Sequence, residues 1–368
     1  MNGRERILTA LEVREPDRVP LYIHGINEKP IIWIARTLTD DLPEEKEIYE
    51  MNDTEQVQLL NALFLLHEEY GVDGFTCFEI GDTVNIDETH IRDPFNVVYE
   101  RSPVGIPVAT EHPIHDMDDL KKYQPPKPAE EHLLLLNLAR DRFKDTKAIF
   151  WMMRGSFVRS WRLCGMENLM FKMFDDPQFV HDLAKKVLEF NLASMEQVHA
   201  AGADVLIVED DIADKNMTLV STEQFLEFIN PYNRVLVEEA HRKGMKVMRH
   251  SDGNLWNIMD ILLDTGYDGL NPLEPQADMG LKKVKSYCGD RLCLIGNIDC
   301  IELLPSGTPE EVDQAVKQAI MDAGQGGGLV ISSSNSLHPG TKPENCIAMF
   351  KAVEKYGKYP LQDVKTGS

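Results

Sequence analysis

The chain has 368 residues, 43% of them hydrophobic and 27% charged, which is enough apolar material for one large core and too much for a disordered chain. Its 61 acidic against 38 basic side chains leave a net charge of −23, which repels nucleic acid and anionic membrane and argues against both as partners.

A helix over residues 3–12 leads through Glu15-Pro-Asp-Arg-Val-Pro20 to a β-run at 19–24. Helical periodicity at 55–70 precedes a strand at 74–79. Residues 84–125 read as an irregular, Pro-containing insertion, with Tyr99-Glu-Arg-Ser suggesting a hairpin. A helix at 129–143 and a buried strand at 148–153 follow. Next come helices at 168–174 and 177–201 and a strand at 205–208 that ends in Glu209-Asp-Asp211. The alternation continues with a helix at 222–243, a strand at 246–249, a helix at 255–265 and a short strand at 269–271. It closes with a helix at 280–287, a strand at 292–295, a helix at 309–323, a strand at 329–331 and a helix at 343–356. Apolar strands alternating with amphipathic helices predict an α/β fold, a (β/α)8 TIM-type barrel spanning 1–368 as one domain, with residues 1–18 as an N-terminal helical extension. An open doubly wound sheet is the alternative.

In such a barrel the strand C-termini carry the chemistry. The polar residues there are His24, Glu79, Arg154, Glu209, Asp210, His250, Asp252, Asn271, Glu274, Asn297, Asp299 and Asn335. Any one of them could simply cap a helix, but the set points to a pocket. Lys246-Val-Met-Arg-His-Ser-Asp-Gly-Asn254, read as the sixth barrel strand and its exit, is the richest stretch. His250 and Asp252 are two residues apart and share one side of an extended chain. Together with Glu274 they form a candidate zinc site, and a metal-free acid–base pocket is the competing reading. Gly324-Gln-Gly-Gly-Gly328 precedes a strand rather than opening a helix and so reads as a turn, not a phosphate cradle.

The six cysteines, at 77, 164, 288, 293, 300 and 346, form no Cys-x-x-Cys pair. The sequence therefore predicts reduced thiols and a cytoplasmic location. No apolar run approaches membrane-spanning length, and the charged N-terminus lacks a signal-like apolar region.

Glu15-Pro-Asp-Arg-Val-Pro20, His250-Ser-Asp-Gly, Gly289-Asp-Arg-Leu-x-Leu-x-Gly-Asn-Ile-Asp299 and Lys342-Pro-Glu-Asn345 together resemble the uroporphyrinogen decarboxylase superfamily along nearly the whole chain. The resemblance implies a barrel with its site at the strand C-termini. It also implies either a decarboxylase or a cobalamin-dependent methyltransferase. The decarboxylase pattern carries an Arg-containing segment after the first strand, where this chain has Leu21-Tyr-Ile-His-Gly-Ile-Asn27 without arginine. The methyltransferase branch holds zinc through His-x-Cys and a distant Cys. Here Asp252 stands at the first thiol position and residues 332–335 lie near the second.

Loss of both thiols makes methylation of a thiol such as coenzyme M an unsuitable task. The resemblance points instead to the first methyltransferase of anaerobic O-demethylase systems, which moves methyl from an aryl methyl ether to cob(I)alamin on a partner corrinoid protein. It then implies catalytic roles for His250, Glu274, Asp252, Glu209, Asp210, Asn297 and Asp299. The implied substrate is a methoxylated small molecule, whose ring Phe75, Phe78, Trp151, Met152 and Met248 could line, with Arg154, Glu79 and Asn335 as polar contacts. A true uroporphyrinogen decarboxylase, kept in play by Arg154, Arg159, Arg162 and Arg249, and a non-catalytic corrinoid- or tetrapyrrole-binding barrel are the alternatives.

Overall fold

Residues 1–79, 83–102 and 107–361 are described in a computed structural model. Seven runs of mainly apolar residues form one parallel sheet. In spatial order they are β1 (Gly74–Phe78), β6 (Ala148–Arg154), β7 (Val205–Glu209), β8 (Lys246–His250), β9 (Gly269–Asn271), β10 (Cys293–Ile298) and β11 (Leu329–Ser333). The sheet is covered on both faces, which is why these strands are apolar almost throughout rather than alternating.

Residues 19–24 supply the eighth stave. Leu21 bridges Ile331 of β11 in parallel fashion, and Leu21 O accepts from Asp73 N (2.8 Å) just before β1. Asp73 is buried, and its carboxylate accepts from Leu21 N and from Arg6 and Arg18, tying this stave to the N-terminal segment. With this segment counted, β8 is the fifth stave, not the sixth.

The first helix, Gly3–Leu11, begins with a capping box between Asn2 and Glu5. It packs Ile7, Ala10 and Leu11 against the inward-facing Phe150, Val205, Ile207, Met248, Ile295 and Val330. The helix therefore plugs the N-terminal end of the barrel. Ile7 and Leu11 are almost fully buried there, worth roughly 1.5–3 kcal/mol each.

Several segments differ from the sequence reading. Residues expected to be irregular form a four-stranded antiparallel sheet of β2 (Val84–Asn85), β3 (His90–Arg92), β4 (Val98–Glu100) and β5 (Val108–Glu111), followed by the helix Met117–Lys122. The hairpin expected around Tyr99 is present, with Tyr99 in β4, which pairs antiparallel with β3 and β5. The sequence reading also left the helix Glu28–Ala35 unassigned, and likewise a helix at Ser156–Cys164. It leaves β6 at Gly155, where a Cβ would lie 2.3 Å from Asp210 Cγ, so the close approach admits only glycine. The glycines at 326–328 form the turn between the helix Pro309–Ala323 and β11.

Candidate active site

The strand register sets the site's floor. Arg154 pairs with Glu209, Glu209 with His250 and His250 with Asn271, so four adjacent strands present one polar row at their C-terminal ends. One layer beneath, Met152, Ile207 and Met248 face the same side, and Met248 is fully buried in the apolar plug.

His250 is held in one tautomer. Asn271 Nδ2 donates to Ile295 O (3.1 Å), which turns Asn271 Oδ1 toward His250 Nδ1 at 2.6 Å. Nδ1 thus carries the proton and donates, leaving the Nε2 lone pair free. Nε2 faces Asp252 Oδ1 at 3.8 Å and Asp211 Oδ1 at 3.9 Å. These three ligand atoms lie within 4.8 Å of one another. The spacing is too long for hydrogen bonds and close to the roughly 3.4 Å between ligand atoms that share an ion at about 2.1 Å.

The donor set passes a second test. Asp252 Oδ1 is sealed from solvent and has no hydrogen-bond partner, while Oδ2 accepts from Asn335 Nδ2 at 2.8 Å. Burial, opposed by His250 and reinforced by the nearby carboxylates of Asp211 and Glu274, pushes the Asp252 carboxyl up to about 7. A cation would relieve that repulsion and satisfy the orphan oxygen. Asp211 is the more open member, so the cluster is reachable from outside.

A sharp turn at Gly253 brings Asp252 back over His250. Its φ of +85°, and the 2.4 Å that would separate a Cβ from Asp214 O, both require glycine. Glu274 Oε2 accepts from Gly253 N at 2.8 Å and braces this turn. Glu274 is outside the three-residue cluster, where Asp211 stands instead.

The other expected site residues fall into separate places. Arg154 Nη1 donates to both oxygens of Glu209 (3.0 and 2.8 Å). Asp210 points away from this row. It is fully buried against Arg249 and accepts from Val158 N and Asn233 Nδ2. Asn297 donates to Leu273 O, and Asp299 accepts from Ile301 N and Glu302 N as a turn cap.

Two cavities open on this face. The larger, about 720 Å³, is mostly apolar and is lined by Ile23, His24, Leu59, Leu63, Phe75 and Leu135 among others. The smaller, about 380 Å³, is lined by Trp151, Arg154, Arg159, Arg162, Tyr99 and Glu209 among others. They share Phe78, Glu79 and Thr83. Arg159 is buried over the Phe95 ring (3.7 Å to its centroid) and lies 3.5 Å from Glu79. Burial pulls its guanidinium down to about 10. His24 joins the large cavity to the cluster, because its ring stacks on His250 at 4.1 Å and 6°.

All six cysteines are buried and free. Burial raises their thiols, that of Cys288 to about 11 and that of Cys164 to about 12. None belongs to the carboxylate–imidazole cluster.

Sequence reasoning did not single out Asp211, and it weighed Arg159 and Arg162 only as support for the decarboxylase alternative. The only signal for Asp211 was the run Glu209-Asp-Asp211 at a strand end. The arginines had a helical spacing but lay in a helix that had not been recognised.

The chain matches the uroporphyrinogen decarboxylase (URO-D) family model over residues 2–356 and belongs to that family. Among curated relatives, the uroporphyrinogen decarboxylase of Alkalilimnicola ehrlichii is 28% identical over 59% of this chain and 57% of its own length. Similarity to that decarboxylase thus spans little more than half of it. The methylcobamide:CoM methyltransferase MtbA of Methanosarcina acetivorans is 24% identical over 76% of this chain and 84% of its own length. A solved methyltransferase from Methanosarcina mazei superposes with a TM-score of 0.73 at 19% identity, covering 97% of this chain and 99% of that one, and so shares the fold.

Proposed function

We propose that this member of the uroporphyrinogen decarboxylase family transfers the methyl group of a methoxylated small molecule, most suitably an aryl methyl ether, to cob(I)alamin on a separate corrinoid protein. The observation that carries this reading is the donor set of His250 Nε2, Asp252 Oδ1 and Asp211 Oδ1, which contains no thiol and borders a large apolar cavity through His24. Oxygen and nitrogen donors suit a hard task, the activation of an ether oxygen, better than the capture of a soft thiolate.

The step has a simple balance. The cobalt nucleophile takes the methyl carbon, the carbon–oxygen bond breaks, and the departing oxygen must receive positive charge or a proton. His250, Asp252 and Asp211 would hold zinc, which when bound supplies Lewis acidity to that oxygen. Asn271 fixes the His250 tautomer, and Glu274 fixes the turn that carries Asp252. In the metal-free version of the same site, the raised Asp252 carboxyl takes up a proton far closer to neutral pH than an ordinary carboxylate and can give it to the leaving oxygen, a contribution of about 10²- to 10⁴-fold. The apolar cavity would take the ring and exclude water. The strand-end face that holds both cavities must also admit the corrinoid partner.

The test is incubation of the purified protein with cob(I)alamin and a panel of methoxyarenes. Methylcobalamin and the matching phenol should appear together. Coproporphyrinogen formed from uroporphyrinogen would replace this reading with decarboxylation. Tight cobalamin binding with neither reaction would leave a binding barrel.

A further inference from the structure

His24 ends the first stave, lines the 720 Å³ cavity and is only 8% exposed. Neither ring nitrogen has a hydrogen-bond partner among the described residues. Nδ1 is sealed without one, whereas Nε2 is unpartnered but not sealed. An imidazole carries a donor and an acceptor, and natural interiors seldom leave both unused. Its neighbours offer no remedy. Tyr22 meets it edge-on at 6.5 Å and spends its hydroxyl on Thr76, and His250 lies flat against it.

Stacking also excludes the obvious alternative, that His24 is a fourth ligand to the same ion. Ring-nitrogen lone pairs lie in the ring plane. Two imidazoles stacked at 4.1 Å and 6° therefore aim their lone pairs along nearly parallel planes, and cannot converge on one ion without a rotation.

Resting on the methyltransferase reading above, we infer that His24 is the polar anchor of the large cavity. Through Nε2, the ring nitrogen that is not sealed, it would hydrogen-bond the heteroatom of an otherwise hydrocarbon ligand and so hold that atom beside the His250–Asp252–Asp211 cluster. The class of ligand follows from the cavity. Its lining is mainly apolar, with Ile23, Leu59, Leu63 and Phe75, and its charged members Glu28, Asp53 and Glu79 are acidic, so a neutral ring bearing an ether or hydroxyl oxygen fits it. A polyanion finds no cation there, since the nearby arginines Arg154, Arg159 and Arg162 line the other cavity. Discrimination by such a site comes from its unpaired polar group, because a ligand without a heteroatom leaves His24 unsatisfied.

The experiment compares binding of 1,2-dimethoxybenzene with that of its hydrocarbon isostere 1,2-diethylbenzene, by isothermal titration calorimetry on the full-length protein as purified. The wild type should prefer the ether by about tenfold. His24→Phe should bind the hydrocarbon at least as well and lose the preference. His24→Gln, which keeps a donor and an acceptor, should retain part of it, and thermal unfolding checks that both variants fold. The inference is overturned if His24→Phe keeps the ether preference. It is equally overturned if the wild type binds the two probes equally or binds neither. Cobalamin methylation is not needed for this readout. An ether preference that depends on His24 in a protein forming no methylcobalamin would keep the anchor and discard the methyltransferase reading.

Discussion

Replacing Asp210 with asparagine separates a structural from a catalytic role for one member of the acidic run after β7. Asp210 and Arg249 are both fully buried, with Nη1 3.1 Å from Oδ2. Oδ2 also accepts from Asn233 Nδ2 at 2.7 Å, and Oδ1 from Val158 N at 2.7 Å. Asparagine keeps the acceptor for Val158 but turns an NH2 group toward two donors. Two charge-assisted hydrogen bonds are lost, each worth about 1.5–3 kcal/mol, and Arg249 is left as an uncompensated buried charge, a loss that costs about 3–5 kcal/mol in such pairs. These two figures describe the same event and do not add. The expected loss is about 4 kcal/mol, read from urea unfolding followed by circular dichroism. Arg249→Met alone should also destabilise, and the double variant should fall short of the sum by at least about 1 kcal/mol, because an apolar pair no longer strands a charge. A loss under about 1 kcal/mol for Asp210→Asn, with methyl transfer abolished in folded protein, would refute the structural assignment and restore Asp210 to the chemistry.

Metal analysis should find stoichiometric zinc in the wild type and in Glu274→Gln, but little in His250→Ala, Asp252→Ala or Asp211→Ala. Retention in Asp211→Ala with loss in Glu274→Gln would favour the His250–Asp252–Glu274 set over the observed cluster. Asn271→Leu removes the acceptor for His250 Nδ1 and should weaken zinc about 10- to 100-fold in a chelator competition, and unchanged affinity would refute the tautomer argument. Gly155→Ala pushes a methyl into Asp210 and should lower stability by about 1–3 kcal/mol, visible as a reduced unfolding midpoint. His67 is buried, and desolvation pulls its imidazole down to about 3. The unfolded chain takes up that proton near its ordinary value of about 6.5, whereas the folded chain waits until about 3. Stability should therefore fall with pH through this window, by up to about 1.4 kcal/mol per pH unit. His67→Gln should flatten that slope, and an unchanged slope would assign the acid loss elsewhere.

What could be read in the sequence follows from how each element is buried. Strands such as Val205–Glu209 and Leu329–Ser333 are covered on both faces, so apolarity alone marks them. The helix Ser156–Cys164 escaped because it buries Arg159 and Ser160 alongside Phe157 and Val158, which scrambles its polar face. The insertion escaped because its strands are two to four residues long, too short for alternation to register.

At the site, spacing by two placed His250 and Asp252 on one side, and the structure brings them together, whereas Met248, expected at the strand end, lies in the plug. Met248 shares the inward face with His250 and lies one layer lower, inside the plug formed by Ile7, Ala10 and Leu11. Side-chain direction is local and alternates along a strand, whereas height within the barrel is fixed by pairing with distant strands. The acidic run makes the same point, because Glu209 meets Arg154 inside, Asp210 meets Arg249 outside and Asp211 leaves the strand to face His250. Three adjacent carboxylates thus enter three environments, and only the register decides which of them is free to hold a cation.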